Sequence, residues 1–562
     1  MPEDSPILTN AEIADRLSTL AQLLSIQKAN PYKIRAYRRA ADTVRSLGES
    51  IDELVRSGAD LTIYSGIGDA IHAALREIVL TGTLTSLEKL RSNASPELLS
   101  ISAYPRLDPK RVLRIFKKLK ISSTEALQQA LESGEIEQIF GLRMAQHVRQ
   151  GLVQPSAIIL YHAHRLVPSI ETYLLKHAGA ARVQVVGDYR RRVEVIEELW
   201  FVVETNDFPG LVTHMQRYGG RTPLIESTTD YALFALAAGP LLKIHLANAD
   251  DWGLALIRHT GSKAHLKKLV AVTGNLTSLE ADTSFATEHS LYESFGMAFI
   301  EPELREGRNE VRQARRDILP ILVTQADILG DLHTHTEASD GSNSIEQMAA
   351  AARNAGYAYI GISDHSQSLK IAGGVSEEDL WTQVRRIDRL NEQLQGIRVL
   401  KSAEVDILAD GKLDYSDELL RELDYTVCSI HSRFAFGKEK QTERIIRAMD
   451  NRFFTILGHA TGRLLLKRPG YEIDMERVAA HAKQNGCFFE INSSPDRLDL
   501  SAENARLAAQ LGIMIAISTD AHSIHEFGTI RYGIEQARRA GLEKSSILNC
   551  QSLESLTRLF KR

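Results

Sequence analysis

From residue 325 to the end of the chain, short apolar segments recur roughly every 30 residues with amphipathic stretches between them. Seven such segments are present, and the first two are ADILGDLHTH and YAYIGISDH. The other five are RVLKSAEVD, YTVCSIH, FFTILGH, CFFEINSS and MIAISTDAH. A repeated strand and helix at this spacing is typical of a parallel βα barrel. The repeat therefore predicts such a barrel over the C-terminal part of the chain.

Almost every predicted strand ends in a residue type that binds metal ions. The carboxyl ends of barrel strands converge on one face, and residues at i and i+2 of a strand point the same way. Each side chain could instead be a satisfied polar group at a strand end, but nine on one face favour a metal site. Imidazole and carboxylate ligands suit Zn²⁺, Mn²⁺ or Fe²⁺, and nine ligands exceed the need of one ion. The candidate ligands are His333, His335, Asp340, His365, Glu404, His431, His459, Asp520 and His522.

Charge, cysteine usage and the chain start limit the class of protein. The net charge of −5 argues against generic binding of polyanions, so only local basic patches could do so. The three cysteines form no Cys-x-x-Cys pair, which fits a reducing cytoplasm. The start MPEDSPILTN is acidic and lacks the apolar core of a signal peptide, and no run approaches the ~20 apolar residues of a membrane span. We therefore expect a cytoplasmic protein without a membrane segment.

The first 150 residues predict a helical, DNA-contacting region. Residues 9–90 read as short helices, the first capped by Thr9 or Asn10, and residues 96–150 continue as helices. The run SGIGDAI (65–71) before a helix predicts a helix-hairpin-helix turn, in which Gly66 and Gly68 let backbone N–H groups approach a DNA phosphate. Two basic stretches, KANPYKIRAYRRAADTVR with its Lys33 and Arg35, and RLDPKRVLRIFKKLK, suit contacts to the DNA backbone without base readout. A solvated helix face is the alternative for each stretch.

The central segment predicts a change to mixed structure. RVQVVGDY and ELWFVVET read as strands with a turn between them, and LLKIHLAN reads as a third strand. Residues 251–315 are mixed and end in the polar run EPELREGRNEVRQARRD. That run looks like a linker that leads into the barrel.

The barrel motifs resemble those of the PHP (polymerase and histidinol phosphatase) domain over residues 328–562. They are DLHTH, SDG, SDHS, AEVD, SIHS, GHATGR, EINSSPDRLDL and STDAHS. The resemblance implies a distorted seven-stranded barrel with three metals, in which one ion takes His333, His335, Glu404 and Asp520. A second ion would share Glu404 and take His431 and His459, and a third would take Asp340, His365 and His522.

A phosphoesterase chemistry follows from such ions. They lower the pKa of bound water to about 7 and neutralise phosphoryl oxygens, so no side-chain base is required. Glu404, Asp520 and Arg463 are the expected catalytic residues. Arg433, Arg463 and Arg497 are candidates for gripping phosphate, with a solvated surface charge as the alternative for each.

The order of features over nearly the whole chain resembles bacterial family X DNA polymerases with a C-terminal PHP domain. NPYKIRAYR, YSGIGDAI, HTGSK (259–263) and PELREGR (302–308) carry this resemblance. It implies a multidomain α/β chain with a polymerase beta-like palm and thumb. The implied domains are an N-terminal helical domain over 1–90, fingers over 91–150, a palm over 151–250, a thumb over 251–315, a linker over 316–327 and the PHP domain over 328–562.

The palm departs from that family. Against its pattern Gly-Ser-x-Arg-Arg-Gly-x-Glu, the segment GDYRRRVE matches at Gly187, Arg190, Arg191 and Glu194, and Asp188 replaces the serine. The three metal-binding aspartates fall on Glu198, Trp200 and His245. Trp200 offers no lone pair and His245 is a poor ligand for Mg²⁺, which prefers oxygen in tight octahedra. We therefore expect that nucleotide addition is lost or nearly lost.

Other family positions are altered as well. Arg258-His259 replaces Tyr-Phe before the Thr-Gly-Ser-Lys motif, and Ala74 stands where relatives with lyase activity carry a lysine. The second and third hairpin sites read PRLDP (105–109) and FGLR (140–143). All losses precede residue 260, whereas the PHP ligand set is complete.

The favoured hypothesis is a metal-dependent 3′–5′ exonuclease or 3′-end processing enzyme in DNA repair, acting on gapped or 3′-ended DNA without sequence preference. A functional family X DNA polymerase in base excision repair is one alternative, and primer extension distinguishes it. A non-catalytic DNA-end scaffold and a small-molecule phosphatase are the others, which metal analysis and a monophosphate panel would separate. The sequence leaves the metal identity and the oligomeric state open.

Overall fold

The computed structural model describes residues 8–26, 29–47, 49–64, 66–92, 109–142, 144–145, 148, 157–220, 222–236, 239–274 and 285–561. The chain divides into two compact units. The first unit comprises Met1–Thr260 with Thr277–Leu291, and the second comprises Gly261–Leu276 with Tyr292–Arg562.

Five helices lie in the first 92 residues, as the sequence predicts. Thr9 caps the first of them, because its N–H donates to Glu12 Oε2 at 2.8 Å while Glu12 N–H donates to Thr9 Oγ1 at 3.2 Å. Asn10, the other candidate, ties the first helix to the third, since its Oδ1 accepts from Ile51 N–H at 2.8 Å. The helices are α1 (Asn10–Ile26), α2 (Pro31–Ser46), α3 (Ile51–Arg56), α4 (Asp69–Thr81) and α5 (Thr85–Ser92), with a 3₁₀ turn at Leu61–Ile63 between α3 and α4.

Three more helices follow before residue 141. They pack through Val112, Ile115 and Phe116 from the first helix and Leu127 and Ile136 from the others. They are α6 (Pro109–Leu119), α7 (Thr124–Glu132) and α8 (Glu135–Phe140).

A five-stranded sheet lies within residues 157–260, with its strands in the spatial order β2 (Arg182–Val186), β4 (Glu198–Glu204), β7 (Leu241–Leu246), β6 (Tyr231–Ala235) and β5 (Leu224–Ser227). All three predicted strands are confirmed: β2 pairs antiparallel with β4 and β4 pairs parallel with β7. A short helix, rather than a simple turn, follows β2. The elements are β1 (Ile158–Ile159), α9 (Leu160–Lys176), β2 (Arg182–Val186), α10 (Gly187–Arg190), β3 (Val195–Ile196), β4 (Glu198–Glu204), α11 (Phe208–Met215), β5 (Leu224–Ser227), β6 (Tyr231–Ala235), β7 (Leu241–Leu246) and α12 (Trp252–Thr260), with 3₁₀ turns at Tyr218–Gly220 and Ala249–Asp251.

The polar run 301–317 is folded, so its interpretation as a linker is wrong. The side chain of Arg305 is completely buried, and its guanidinium lies over the rings of Tyr292 and Phe299. Glu310 accepts from the buried His265 imidazole at 2.7 Å. Side-chain pairing of this kind buries charged groups that the local sequence pattern assigns to solvent. The elements here are α13 (Lys263–Thr273), α14 (Glu288–Ser294) and α15 (Glu310–Ala314), with a 3₁₀ turn at Pro302–Leu304.

The C-terminal part of the second unit is a parallel βα barrel. All seven predicted strands are found, and the third is divided at Ser402 and Ala403 because its first half pairs with one neighbour and its second half with another. The strands are β8 (Gly330–Thr334), β9 (Tyr359–Ile362), β10 (Arg398–Lys401), β11 (Glu404–Asp406), β12 (Val427–Ser429), β13 (Ile456–Leu457), β14 (Phe488–Asn492) and β15 (Ile515–Ser518).

Two parallel sheets, β10-β9-β8 and β11-β12-β13-β14-β15, make up the barrel wall. Single bridges join the sheets at both seams, Thr334 with Ala521 and His365 with Glu404. The surrounding helices are α16 (Ile345–Asn354), α17 (Glu377–Gln393), α18 (Asp417–Leu420), α19 (Lys438–Met449), α20 (Met475–Gln484), α21 (Ala502–Gln510), α22 (Ile530–Ala540) and α23 (Leu553–Phe560), with 3₁₀ turns at Gln325–Asp327, Lys370–Ala372, Phe527–Thr529, Lys544–Ser546 and Leu548–Cys550.

Apolar side chains from the strands and the inner faces of these helices form one large core, which includes Ile360, Val405, Leu457, Phe489 and Ile517. Such a core fixes the strand ends, where the polar residues of the site lie. Within the described residues, none of the helices is both long and apolar enough to span a bilayer.

Candidate functional site

The strand ends bring all nine predicted ligands to one face of the barrel. His333 lies near the end of β8 with His335 just beyond it, and Glu404 begins β11. His431 and His459 each follow their strands by two residues, as Asp520 follows β15. Parallel strands place these positions together, so residues nearly 190 positions apart in sequence become neighbours.

Glu404 stands at the centre of the cluster, and its Oε2 faces the β8 histidines. This oxygen lies 3.5 Å from His333 Nε2 and 3.7 Å from His335 Nε2. Asp520 Oδ1 lies 3.0 Å from His335 Nε2 and 3.7 Å from His333 Nε2. The four side chains therefore surround one small polar space.

The other oxygen of Glu404 faces a different pair of histidines. Oε1 lies 2.8 Å from His459 Nε2 and 3.2 Å from His431 Nε2. One carboxylate thus connects two groups of imidazoles, which is the arrangement that a ligand shared by two metal ions requires.

A third group gathers around Asp340. Its Oδ1 lies 3.2 Å from His522 Nε2, 3.5 Å from His365 Nε2 and 4.0 Å from His335 Nδ1. His365 also reaches the first two groups, since its Nδ1 lies 2.7 Å from Glu404 Oε2. The three groups are therefore contiguous.

The buried polar atoms of the cluster fit divalent metal ions. His333 Nε2 and His335 Nδ1 are buried and have no hydrogen-bond partner among the described residues. Leaving such atoms unpaired would be costly, and a metal ion would satisfy them. The mixture of imidazole and carboxylate suits Zn²⁺, Mn²⁺ or Fe²⁺.

Electrostatics in the cluster favour bound positive charge. Burial opposes ionisation of Glu404, yet the surrounding imidazoles hold the pKa of that carboxyl well below its ordinary value. Burial likewise opposes a charged imidazole at His333, but the carboxylates of Glu490, Glu404 and Asp520 raise its pKa well above the usual value. Divalent cations would supply the positive charge that these protons otherwise provide.

Three further buried side chains orient the predicted ligands. Glu490 Oε1 lies 2.7 Å from His333 Nδ1, and Glu490 Oε2 accepts from the backbone N–H of His459 at 2.8 Å. Asp406 Oδ1 lies 2.5 Å from His431 Nδ1, and Asn492 Nδ2 donates to Asp520 Oδ2 at 3.0 Å. Sequence reasoning missed these three, although the i, i+2 alternation in EVD and EIN was a usable signal.

The three candidate arginines differ in their surroundings. Arg497 Nε lies 3.6 Å from Asp520 Oδ2, at the edge of the cluster. Arg463 donates to the backbone carbonyls of Arg497 and Leu498, so it holds the loop that carries Arg497. Arg433 is exposed.

Aromatic rings of β4, β7 and α12 lie together where the family resemblance predicts the carboxylates of a polymerase palm. The imidazoles of His245 and His259 stack with centroids 3.9 Å apart, and the Trp200 ring lies 5.6 Å from His245. Burial, followed by nearby positive charge, lowers the pKa of His245 to about 4 and that of His259 to about 3. Both imidazoles are therefore neutral near pH 7.

Charged partners already occupy the polar groups around these rings. Glu198 Oε2 accepts from Trp200 Nε1 at 2.9 Å and lies 2.7 Å from Lys243 Nζ. Arg190, one of the residues that match the palm pattern, forms two bonds to the buried Glu288 at 2.9 and 2.5 Å. The paired strands β4 and β7 thus carry Glu198, Trp200 and His245, and these three residues do not supply a pair of bridging carboxylates.

The predicted hairpin is found between α3 and α4. Gly66 has φ +89°, and a Cβ there would lie 2.9 Å from Arg39 Cγ, so only glycine fits. Gly68 precedes α4, where a Cβ would meet nothing within 4 Å and no side chain caps the helix. The N–H groups that begin α4 are thereby open to an anion. Ser65 of this turn lies outside the described residues.

Exposed basic side chains lie on α2 and along one face of α6. Lys33, Arg35, Arg38 and Arg39 are exposed, and the Arg35 guanidinium lies over the Tyr32 ring at 4.7 Å. Arg45 pairs with Asp15 instead, at 2.8 Å. On α6, the exposed basic residues are Arg111, Arg114, Lys117 and Lys118.

Several predictions fall outside the described residues. Residues 105–108 of the second hairpin position and Arg143 of the third are among them. Ala74, at the position where some relatives have a lysine, is buried in α4.

Comparisons with known proteins agree with this geometry. A helix-hairpin-helix domain model matches residues 8–84, and a PHP domain model matches residues 331–494. A Bacillus subtilis (strain 168) protein named DNA polymerase/3′-5′ exonuclease PolX is 30% identical over 98% of this chain and 99% of its own length.

Other relatives match the barrel alone. A probable phosphatase from Thermoanaerobacter sp. (strain X514) is 31% identical over 39% of this chain and 89% of its own length. One from Syntrophotalea carbinolica is 26% identical over 39% of this chain and 90% of its own length. The barrel is therefore similar to proteins that exist without the first 315 residues.

Proposed function

Because the chain belongs to the PolX family of bacterial family X DNA polymerases with a PHP domain, we propose that it is a DNA-binding phosphodiesterase that removes nucleotides from 3′ ends. The barrel is a metal-dependent phosphoesterase domain. The proposed substrates are gapped or 3′-ended DNA, recognised without sequence preference, in cytoplasmic DNA repair. The observation that carries the proposal is Glu404, whose two oxygens face separate pairs of histidines at 2.8–3.7 Å.

Three divalent ions per chain fit the three groups of side chains. One ion would be held by Glu404 Oε2 together with His333, His335 and Asp520. A second would be held by Glu404 Oε1 together with His431 and His459. The third would lie among Asp340, His365 and His522. Bound Mn²⁺, Zn²⁺ or Fe²⁺ supplies an activated water near neutral pH and neutralises charge on the phosphoryl oxygens.

The chain's own residues position the ligands and the substrate. Glu404 and Asp520 are buried, and neighbouring imidazoles hold the pKa of each carboxyl well below its ordinary value, so both would bring negative charge to balance bound cations. Arg497, at 3.6 Å from Asp520, is placed to grip a phosphate oxygen. Arg463 remains a predicted catalytic residue, and its bonds to the backbone of the Arg497 loop favour a positioning role.

The DNA-contacting surface proposed here is the hairpin with the exposed basic residues of α2. Gly66 and Gly68 shape the turn, and the exposed Lys33 and Arg35 offer positive charge for phosphates. These groups supply affinity for the DNA backbone, which suits a nuclease that acts on any sequence.

Release of nucleotides from a 3′-labelled primer in Mn²⁺ tests the proposal. The intact chain should release them, and His333→Ala should reduce the rate about 1,000-fold, since several kcal/mol of electrostatic stabilisation depend on the ions. His481→Ala is the control, because His481 lies on the outer helix α20 and pairs with Asp450 rather than with a ligand. Release that persists unchanged in His333→Ala would contradict the assignment of the site.

A small-molecule phosphatase is a second candidate, which the names of the barrel-only relatives favour. A panel of phosphate monoesters, compared with the labelled primer at equal metal concentration, separates the two functions. We expect faster turnover of the primer. A strong preference for a monoester would favour the phosphatase instead.

A further inference from the structure

The turn that follows the ligand His365 presents the most exposed large apolar side chain among the described residues. Ile371 is 96% exposed and lies in the 3₁₀ turn Lys370–Ala372. Single exposed apolar residues are common on protein surfaces. Its placement and rigid support distinguish Ile371 from that background.

The turn lies beside the metal-ligand cluster. It connects β9 to α17, and loops that follow barrel strands surround the site on the carboxyl face. Gly373, two residues after Ile371, approaches the Asp340 loop, because a Cβ at that glycine would lie 3.1 Å from the Ser339 carbonyl oxygen. The turn that carries Ile371 therefore adjoins the loop of the ligand Asp340.

Hydrogen bonds fix both ends of the turn. Ser368 N–H donates to Asp414 Oδ2 at 2.7 Å, and Gln367 Nε2 donates to the Asp414 carbonyl at 3.1 Å. On the other side, Val375 N–H donates to the His365 carbonyl at 2.8 Å. Gly374 packs against Ser366 so closely that a Cβ would lie 2.1 Å from its carbonyl oxygen. The isoleucine is thus held outward on a rigid support rather than on a loose loop.

A cavity of about 360 Å³ shares a wall with this turn. Gly373, Gly374 and Val375 line it on one side, with Thr336 and Gln383 among the residues opposite. Thr336 directly follows the ligand His335. The volume falls in the range of small-ligand sites.

The buried cluster sets a requirement on the substrate. His333, His335 and Glu404 are at most 1% exposed. For the 3′ end to reach these buried ligands as a single strand, the terminal base pair of a duplex must open. Opening is unfavourable, and apolar side chains such as isoleucine lower its free-energy cost by inserting against a base step.

We propose that Ile371 is an apolar wedge that packs against a nucleobase at the 3′ end of paired DNA and favours opening of the terminal base pair. Lys370, which is exposed beside it, offers positive charge for the adjoining phosphate. The inference rests on the proposed exonuclease function and names a residue that determines its substrate preference.

The test compares initial rates of nucleotide release from one labelled primer in two forms, fully paired to a template and single-stranded. In the Ile371→Ala variant, we expect the paired-to-single-strand rate ratio to fall about tenfold, which corresponds to the loss of one modest apolar contact in the rate-limiting state. Ile371→Leu should keep the wild-type ratio, because it retains an apolar side chain of similar size.

Ile321→Ala is the matched control. Ile321 is also an exposed isoleucine, at 85%. Its N–H donates to Glu543, which lies just after α22. Barrel helices end at the amino ends of the strands, so Ile321 lies on the opposite side of the barrel from the ligands. Its rate ratio should equal that of the wild type. An unchanged ratio in Ile371→Ala would overturn the wedge.

A failure of the wedge is distinguishable from a failure of the nuclease assignment. If the wild-type chain digests both substrates and Ile371→Ala keeps the same ratio, only the wedge is wrong. If the wild-type chain digests neither substrate in Mn²⁺, both the nuclease assignment and the wedge that depends on it are overturned.

Discussion

Glu490 bonds His333 through Oε1, at 2.7 Å from Nδ1, and both side chains are completely buried. The bond holds the imidazole with its Nε2 facing Glu404 and Asp520. Because the other Glu490 oxygen accepts from the His459 backbone at 2.8 Å, one buried carboxylate orients ligands of two adjacent groups. Outer carboxylates of this kind determine the tautomer and direction of a ligand histidine.

The first prediction concerns this carboxylate. Glu490→Gln keeps the shape of the side chain but removes its charge, so we expect about a 10–100-fold loss of metal affinity. Metal content after dialysis against graded chelator measures it. Glu418→Gln on the exposed surface of α18 is the control and should bind metal as the wild type does. Equal metal retention in the two variants would show that Glu490 does not support the site.

A second prediction concerns acid stability of the first unit. Burial holds the pKa of His245 at about 4 and that of His259 at about 3, below the ordinary 6.5. Both imidazoles are harder to protonate in the folded state than in the unfolded chain. The free energy of unfolding is therefore highest above pH 6.5 and decreases as the pH falls from 6.5 towards 4. His259→Phe should make the free energy of unfolding less dependent on pH in this range, while the new ring still stacks on His245.

Thermal unfolding of the wild type and the variant between pH 4 and 7 measures this difference. His214→Phe serves as the control, since His214 is exposed on α11. Parallel pH profiles for the wild type and His259→Phe would contradict the prediction.

The third prediction concerns nucleotide addition. In a His333→Ala background, which prevents degradation of the product, we expect no primer extension with Mn²⁺ and all four nucleotides. The physical reason is that Trp200 and His245 provide no bridging carboxylate and Glu198 is already paired with Lys243 at 2.7 Å. Robust extension that Glu198→Ala abolishes would show that the palm is active.

The fourth prediction concerns the hairpin. A methyl group at Gly68 meets nothing within 4 Å inside the protein, so Gly68→Ala should fold normally. It would nevertheless obstruct the approach of a phosphate to the start of α4, and we expect about a tenfold weaker DNA affinity. Titration of labelled DNA at fixed salt concentration measures the effect. Gly437→Ala, another glycine with open space beside it, should bind DNA as the wild type does.

Much of the barrel could be predicted because its signals are local. Each strand is a short apolar run, and the ligand types stand at the ends of these runs, as in DLHTH and STDAH. The division of the third strand could not be predicted, since Ser402 and Ala403 look like ordinary strand residues. The strand divides there because it changes hydrogen-bonding partner, which depends on the neighbouring strands.

The residues around the ligands were harder to predict for the same reason. The alternation in EIN places Glu490 and Asn492 on one side of β14, but the bond from Glu490 to His333 depends on β8 and β14 lying in one barrel. The polar run that contains Arg305 misled sequence reasoning, because charge usually marks solvent exposure. Its guanidinium is instead buried against two aromatic rings.

The sequence by itself determined the ligand types, their order and the loss of carboxylates from the palm, because these depend only on which residue occupies each position. Tertiary structure alone decided that the two oxygens of Glu404 face different histidine pairs. It likewise decided that His259 stacks on His245 and that Ile371 stands exposed beside the site. These features depend on how elements from distant parts of the chain pack together. The spacing of side chains along one segment does not specify that packing.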